Sequence, residues 1–197
     1  MVSLSKNQTV SLAKTSGSVL TRIAVGLGWD PVKKKPGFFG SVFGGSSDSI
    51  DLDASVVMLD TNARPIDVVW FRKLNSDCSS LHHRGDNLTG DGDGDDEVID
   101  INLTSLPSNV KFLAVTVNSF RSQTFNEVDN AFCRIFDTVN HNKEICNYKL
   151  KEQGPHTGVL IASLMRNGSD WEFTARGIPC NGNTVEAMIP TIRQALV

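Results

Sequence analysis

IDLDASVVMLD, residues 50–60, sets Ile50, Leu52 and Ala54 at every second position and then runs apolar from Val56 to Leu59. Alternation with period two is the signature of a strand with one buried face, and the apolar run that follows suits burial on both faces. The same grammar recurs outward along the chain in PIDVVWFRKL (65–74), VIDINL (98–103), VKFLAVTVNSF (110–120), NAFCRIFD (130–137), GVLIASLMR (158–166) and WEFTARG (171–177). Between these lie turn clusters such as Asp60-Thr61-Asn62, Pro107-Ser108-Asn109 and Asn167-Gly168-Ser169. Many short strands punctuated by turns predict an all-β protein, an antiparallel β-sandwich of two sheets. Upstream, Val2, Leu4, Val10 and Leu12 suggest short strands around a turn at Lys6 to Gln8. Only two places read as helical: a short turn near Phe125 to Val128, and Thr184 to Leu196. In the latter, Val185, Met188, Ile189, Ile192 and Leu196 form one apolar stripe expected to pack on the sandwich.

The 197 residues suit a single domain spanning 1–197, with enough apolar content (40%) for a core. A Gly-, Lys- and Phe-rich excursion at about 31–48 is expected to be flexible, its Phe38, Phe39 and Phe43 docking on their own domain in preference to a partner. The net charge of −3 and the lack of a basic run beyond Lys33-Lys34-Lys35 argue against nucleic-acid binding. No apolar stretch approaches the roughly 20 residues that span a bilayer, and the N-terminus lacks a signal-peptide core, so a cytoplasmic location is expected. Cys78, Cys133, Cys146 and Cys180 contain no CxxC pair and are expected to be reduced thiols. Trp29 and Trp70 are expected in the core, Trp171 on a strand of mixed exposure.

GDNLTGDGDGDDE, from Gly85 to Glu97, gathers six carboxylates and four glycines in thirteen residues. Each ionised neighbour raises the cost of ionising the next, so such density favours a cation among them. Glycines let a backbone wrap a point charge, and carboxylate, amide and carbonyl oxygens are the hard ligands of Ca²⁺. Zinc fits poorly, because the cluster has neither Cys nor His, and Mg²⁺ demands stricter geometry. An EF-hand reading from Asp86 to Glu97 fails, since Leu88 and Gly90 fall at ligand positions and Asp91 where glycine is required. A second acidic element supports the metal reading: Asp51 and Asp53 sit two apart on a strand and so share a face. The plainer alternative is a solvated acidic loop beside an exposed polar strand face.

Several blocks together resemble the tellurium-resistance TerD family, most closely its TerZ-type members. These are VSLSK near the start, GLGWD, IDLDAS, the HxGDNLTGDGDGDDE block, VNSFRSQTFNEVDNAFCRI and the final WEFTARG. Arg84 departs from the Ser or Thr usual in the acidic block, and shorter relatives lack the excursion between GLGWD and IDLD. The resemblance runs from Val2 to about Val197. It implies a two-sheet β-sandwich with a calcium-binding surface in a cytoplasmic stress-response system. It also implies partners among sibling Ter proteins, with a membrane-bound Ter partner and a peripheral site at the inner membrane face as further options. Carried over position by position, the family's metal ligands fall on Asp51, Asp53, Asp86, Asn87, Asp91, Asp93, Asp95, Asp96 and Glu97, enough for two Ca²⁺ ions.

Two rivals of other classes stand beside this reading. A metal-dependent hydrolase at the acidic cleft would need an open coordination position and a base such as His82 or His83. A structural assembly subunit would use the acids only for solubility. Adjacent histidines on a strand point to opposite faces, which disfavours a zinc site from Cys78, His82 and His83. No GxSxG or GK[ST] signature supports nucleophilic catalysis or nucleotide hydrolysis. Asn118, Gln123, Asn126 and Glu127 either complete a second Ca²⁺ site or, as preferred here, surround a helix start capped by Thr124 and Glu127.

Overall fold

A computed structural model of the chain describes residues 1–32, 50–85, 94–151 and 153–197. The Phe-rich part of the expected excursion and Asp86, Asn87, Asp91 and Asp93 therefore lie outside the described residues. Twelve described strands form two six-stranded sheets. Sheet A runs in the order β1 (Val2–Leu4), β10 (Lys143–Lys149), β9 (Val128–Asp137), β3 (Arg22–Pro31), β7 (Glu97–Asn102), β6 (Leu81–His83). Sheet B runs β2 (Thr9–Ser11), β12 (Asp170–Cys180), β11 (Gly158–Asn167), β8 (Phe112–Asn118), β4 (Asp53–Leu59), β5 (Pro65–Val69). Every pairing is antiparallel except β1 with β10. Two helices accompany the strands: α1 (Leu12–Ser16) and α2 (Val185–Leu196).

The N-terminal segment differs from the expected pair of strands around a turn. β1 joins sheet A and β2 joins sheet B, so the turn at Lys6 to Gln8 carries the chain from one sheet to the other. Leu12, read as a strand residue, instead begins α1. Ser11 caps that helix through a hydrogen bond from Lys14 N–H, and Gly17 ends it at a positive φ of 89°. At the near end of the expected excursion, Pro31 pairs with Val128 and Val32 N–H donates to the Glu127 carbonyl.

Strand patterning follows what covers each sheet. In β7 and β9 the residues alternate, with Ile99, Ile101, Cys133 and Ile135 inside and Asp100, Phe132 and Arg134 outside, because nothing described lies over most of that outer face. β4 and β8 are buried along their whole lengths, because α2 covers the outer face of sheet B. Val185, Met188 and Ile192 of α2 pack there on Val57, Leu59, Phe112, Ala114 and Leu160. The helical stripe thus does what its period implies. A larger apolar cluster, including Val25, Leu27, Trp29, Met58, Val115, Ile135 and Phe173, fills the space between the sheets.

Near residue 125 the expected turn is a short 3₁₀ segment, Phe125–Glu127. Thr124 precedes it without a side-chain capping bond, so the capping box is not formed. Trp29 and Trp171 are buried, which corrects the mixed exposure expected of Trp171. Trp70 is only half-buried, in a surface aromatic group and not in the core. The four cysteines are unbridged. Burial raises the Cys146 thiol to about 12 and lifts Cys133 well above its ordinary value, so neither is a ready nucleophile.

Candidate metal centre

The two acidic elements converge at one end of the sandwich, and Glu97 is the link. It is the first residue of β7 in sheet A, and the residue is 1% exposed. Its Oε2 accepts the Ala54 N–H of sheet B at 2.7 Å and contacts His83 Nε2 at 3.2 Å. β5 pairs with β4 only from Val56 onward, so the Ala54 N–H lies beyond the reach of that edge strand and the carboxylate takes it. Gly85 N–H donates to His83 Nδ1 at 3.1 Å, which leaves the ring proton on Nε2, pointing at Glu97. His83 therefore joins the residue that opens the acidic loop to the residue that closes it. The neighbouring His82 lies on the opposite, exposed face, bonded to Asn75, as strand geometry requires.

The closing limb, Gly94 to Glu97, rests on the GLGWD strand. An added Cβ at Gly26 would collide with the Asp95 carboxylate, and one at Gly28 with the Phe132 ring and the Gly94 carbonyl. Gly94 itself has φ +113°, a conformation that suits glycine. Asp95 Oδ1 accepts from Arg134 Nε at 2.7 Å, and that bond is the chief cause raising the Arg134 guanidinium above its ordinary value. The register of β3 against β9 shifts between Gly28 and Asp30, and the intervening Trp29 N–H donates to Asp96 Oδ2 at 2.8 Å. In return, Asp96 N–H donates to the Leu27 carbonyl. Arg84, on the opening limb, grips Asp100 through two bonds of 2.8 and 2.7 Å.

Asp95, Asp96 and Glu97 thus each have a carboxylate oxygen engaged by a protein donor. They fasten the limb to β3, β9 and β4. These roles are not readable from the chain alone, because the donors (Arg134, Trp29 N–H, Ala54 N–H) come from distant strands. The signal that existed was the glycine pair in GLGWD, whose exposed-side positions demand a close neighbour.

Asp51 and Asp53 are 6% and 4% exposed, so neither belongs to an exposed polar face. β4 begins at Asp53, not at Ile50, so strand alternation does not fix where Asp51 points. Asp51 is instead clasped by the loop after β8: its N–H donates to Gln123 Oε1 at 3.1 Å and its Oδ2 pairs with Arg121 Nε at 2.9 Å. Asp53 is the register partner of Asn118, whose amide donates to the Asn183 carbonyl. Next along the same face stand Ser55 and Thr116, also register partners, whose buried hydroxyls have no hydrogen-bond partner. Of the four residues considered for a second ion, Gln123 and Asn118 have polar atoms engaged in these loop contacts. Among the described residues no three His, Cys, Asp or Glu side chains form a group able to hold an ion.

The TerD domain family matches residues 1–190. The chain is 58% identical to tellurium resistance protein TerZ of Serratia marcescens, with both chains covered in full. The chain belongs to the TerD family. It is also 41% identical to stress response protein SCP2 of Bacillus subtilis (strain 168), over 95% of this chain and 97% of that one. In fold it resembles the crystal structure of a homologue of telluride resistance protein (TerD) from Streptomyces coelicolor A3(2). That likeness has a TM-score of 0.63 at 23% identity, over 85% of this chain and 98% of the other. The two sequence relatives are named for tellurium resistance and for stress response. No helix among the described residues is long and apolar enough to cross a membrane.

Proposed function

We propose that the chain is a non-enzymatic Ca²⁺-binding stress-response protein, a metal-ordered interaction module acting in the cytoplasm. The observation that carries this reading is the convergence of two acidic segments, 51–53 and 94–97, through the Glu97 bond to Ala54. The donor set is all oxygen, which fits a hard cation. Buried Asp51 and Asp53 would hold the ion together with Asp86, Asn87, Asp91 and Asp93. Asp95, Asp96 and Glu97, each bonded to a protein donor, would hold the closing limb of the loop in place around it, and two ions are the expected number. Ca²⁺ would supply charge neutralisation and a fixed loop conformation. The chain's own residues hold the two limbs of that loop in place, through His83 and Glu97 on one side and Gly26, Arg134 and Trp29 on the other. A surface shaped in this way would serve association with sibling Ter proteins or a membrane-bound Ter partner.

A hydrolase at the same cleft is less well supported. Of the two candidate bases, His82 is on the outer face and His83 has both ring nitrogens engaged by Glu97 and Gly85. Titration calorimetry with Ca²⁺ and Mg²⁺ on chelator-treated protein tests the proposal. Saturable Ca²⁺ heat exceeding that of Mg²⁺ is expected, and flat traces for both ions would leave the acids as a solvated, structural feature.

A further inference from the structure

A surface group that the metal reading does not use lies beside Asp51. Trp70 and Lys73 exchange backbone hydrogen bonds in a tight hairpin, which leaves Phe71 and Arg72 at its tip. Lys73 fastens the stem through ion pairs to Asp67 at 2.6 Å and Asp77 at 2.7 Å. Phe120, on the loop after β8, leans against this tip with its ring centroid 6.1 Å from that of Phe71. The Arg72 guanidinium lies 5.7 Å from the Trp70 ring, 5.1 Å from Phe71 and 5.0 Å from Phe120.

Two facts separate this group from an ordinary packing cluster. Phe120 is 42% exposed although a fold gains nothing from a wetted phenyl ring, and Arg72 is exposed too. Among the described residues Arg72 has no ion pair or hydrogen bond, so the N–H donors of a guanidinium set beside three rings are unspent there. The neighbouring cation, Arg121, is spent on Asp51. Aromatic rings that straddle polar and apolar media, set around an arginine, match the interfacial layer of a bilayer with acidic headgroups. An acidic peptide would match Arg72 but would leave the apolar rings of Phe71 and Phe120 without a counterpart.

We infer that Arg72, Trp70, Phe71 and Phe120 form a docking face for a bilayer carrying anionic phospholipid. The rings enter the headgroup layer and Arg72 takes a phosphate oxygen. The inference rests on the Ca²⁺ reading, because through the Arg121–Asp51 pair the face adjoins the acidic end. Without a cation there, that end repels an anionic surface. Affinity is modest and falls with salt, since few cations take part.

The test is co-sedimentation of the full chain with vesicles of equal parts phosphatidylserine and phosphatidylcholine, and with phosphatidylcholine alone. Each is run with Ca²⁺ and with chelator, at low ionic strength. Arg72→Gln and Phe120→Ser are compared with the unaltered chain, and Ca²⁺-induced melting shifts show that each variant is folded. Binding to the acidic vesicles in Ca²⁺ is expected, reduced about fivefold in Arg72→Gln and similarly in Phe120→Ser, with melting shifts unchanged. Equal binding by variants and unaltered chain overturns the assignment, as does equal binding to phosphatidylcholine alone. Binding to polyglutamate without binding to vesicles overturns it in favour of an acidic protein partner. A Ca²⁺ melting shift with no vesicle binding removes the docking face and spares the metal reading. Arg72-dependent vesicle binding in chelator, with no Ca²⁺ shift, keeps the face and removes the metal reading.

Discussion

Gly26 has no side chain because Asp95 lies where one would be, and Arg134 holds Asp95 there. A glycine on the solvent side of a central strand weakens that strand unless another segment crosses it closely. Here the crossing segment is the end of the acidic loop, so glycines, aspartate and arginine form one local device. Asp95 is therefore expected to contribute more to stability than to the affinity of the proposed Ca²⁺ site. Asp95→Asn is expected to lower stability by about 1–2 kcal/mol, the scale of a part-buried charged hydrogen bond. It should shift a Ca²⁺ titration far less than Asp93→Asn does. Paired urea melts and titrations of the two variants check this, and equal Ca²⁺ weakening in both would return Asp95 to the ligand set. At this scale the sequence was legible for composition only. It marked the acids as a cluster but did not show that Asp95, Asp96 and Glu97 anchor a loop, because the anchoring partners lie far away in the chain.

The hairpin bearing Trp70 to Lys73 is an element whose stem depends on one carboxylate. Asp67 Oδ1 accepts from Lys73 at 2.6 Å and from its neighbour Val68 N–H at 2.7 Å, and Oδ2 accepts from Asp77 N–H at 2.8 Å. Burial alone would raise its pKa, but Lys73 and the two backbone donors outweigh burial and hold it below the usual 3.8. A depressed folded value means that the stabilisation is complete above the unfolded value near 3.8. It is lost as pH falls below that, through the folded value. Tryptophan fluorescence from Trp70 is therefore expected to stay constant from neutral pH to about 4 and to change below it, whereas Asp67→Asn should differ already at neutral pH and lack this acid step. Constant fluorescence through acid pH would show that Asp67 does not hold the hairpin. Elements such as β7, β9 and α2 were legible in advance, since their alternation or helical period records which face is buried. The N-terminal segment was not. Val2, Leu4 and Val10 carry the period of strands, but period says nothing of which sheet receives each strand.

At the scale of the molecule, the two sheets share an apolar core and a buried polar tie, Glu97 to Ala54 with His83 behind it. Glu97→Ala would leave a buried backbone N–H and a buried imidazole without their acceptor. A loss of about 2–4 kcal/mol is expected in denaturant unfolding, and Glu97→Gln, which keeps an acceptor oxygen, should lose clearly less. Equal losses would mean that packing, not hydrogen bonding, is what Glu97 supplies. The sandwich itself was readable from strand number and spacing, and the family blocks agree with it. The convergence of residues 51–53 with 94–97 is a property of the assembled sheets, visible only once β7 stands opposite β4.

In the proposed function, Ca²⁺ binds where these segments meet. The most direct measurement is a backbone amide spectrum of the chelator-treated chain, recorded through a Ca²⁺ titration. The amides of Gly85 to Glu97 and of Asp51 to Ala54 are expected to shift together and saturate, with little change in α2. Amides in both segments that hold their positions through millimolar Ca²⁺ would contradict it.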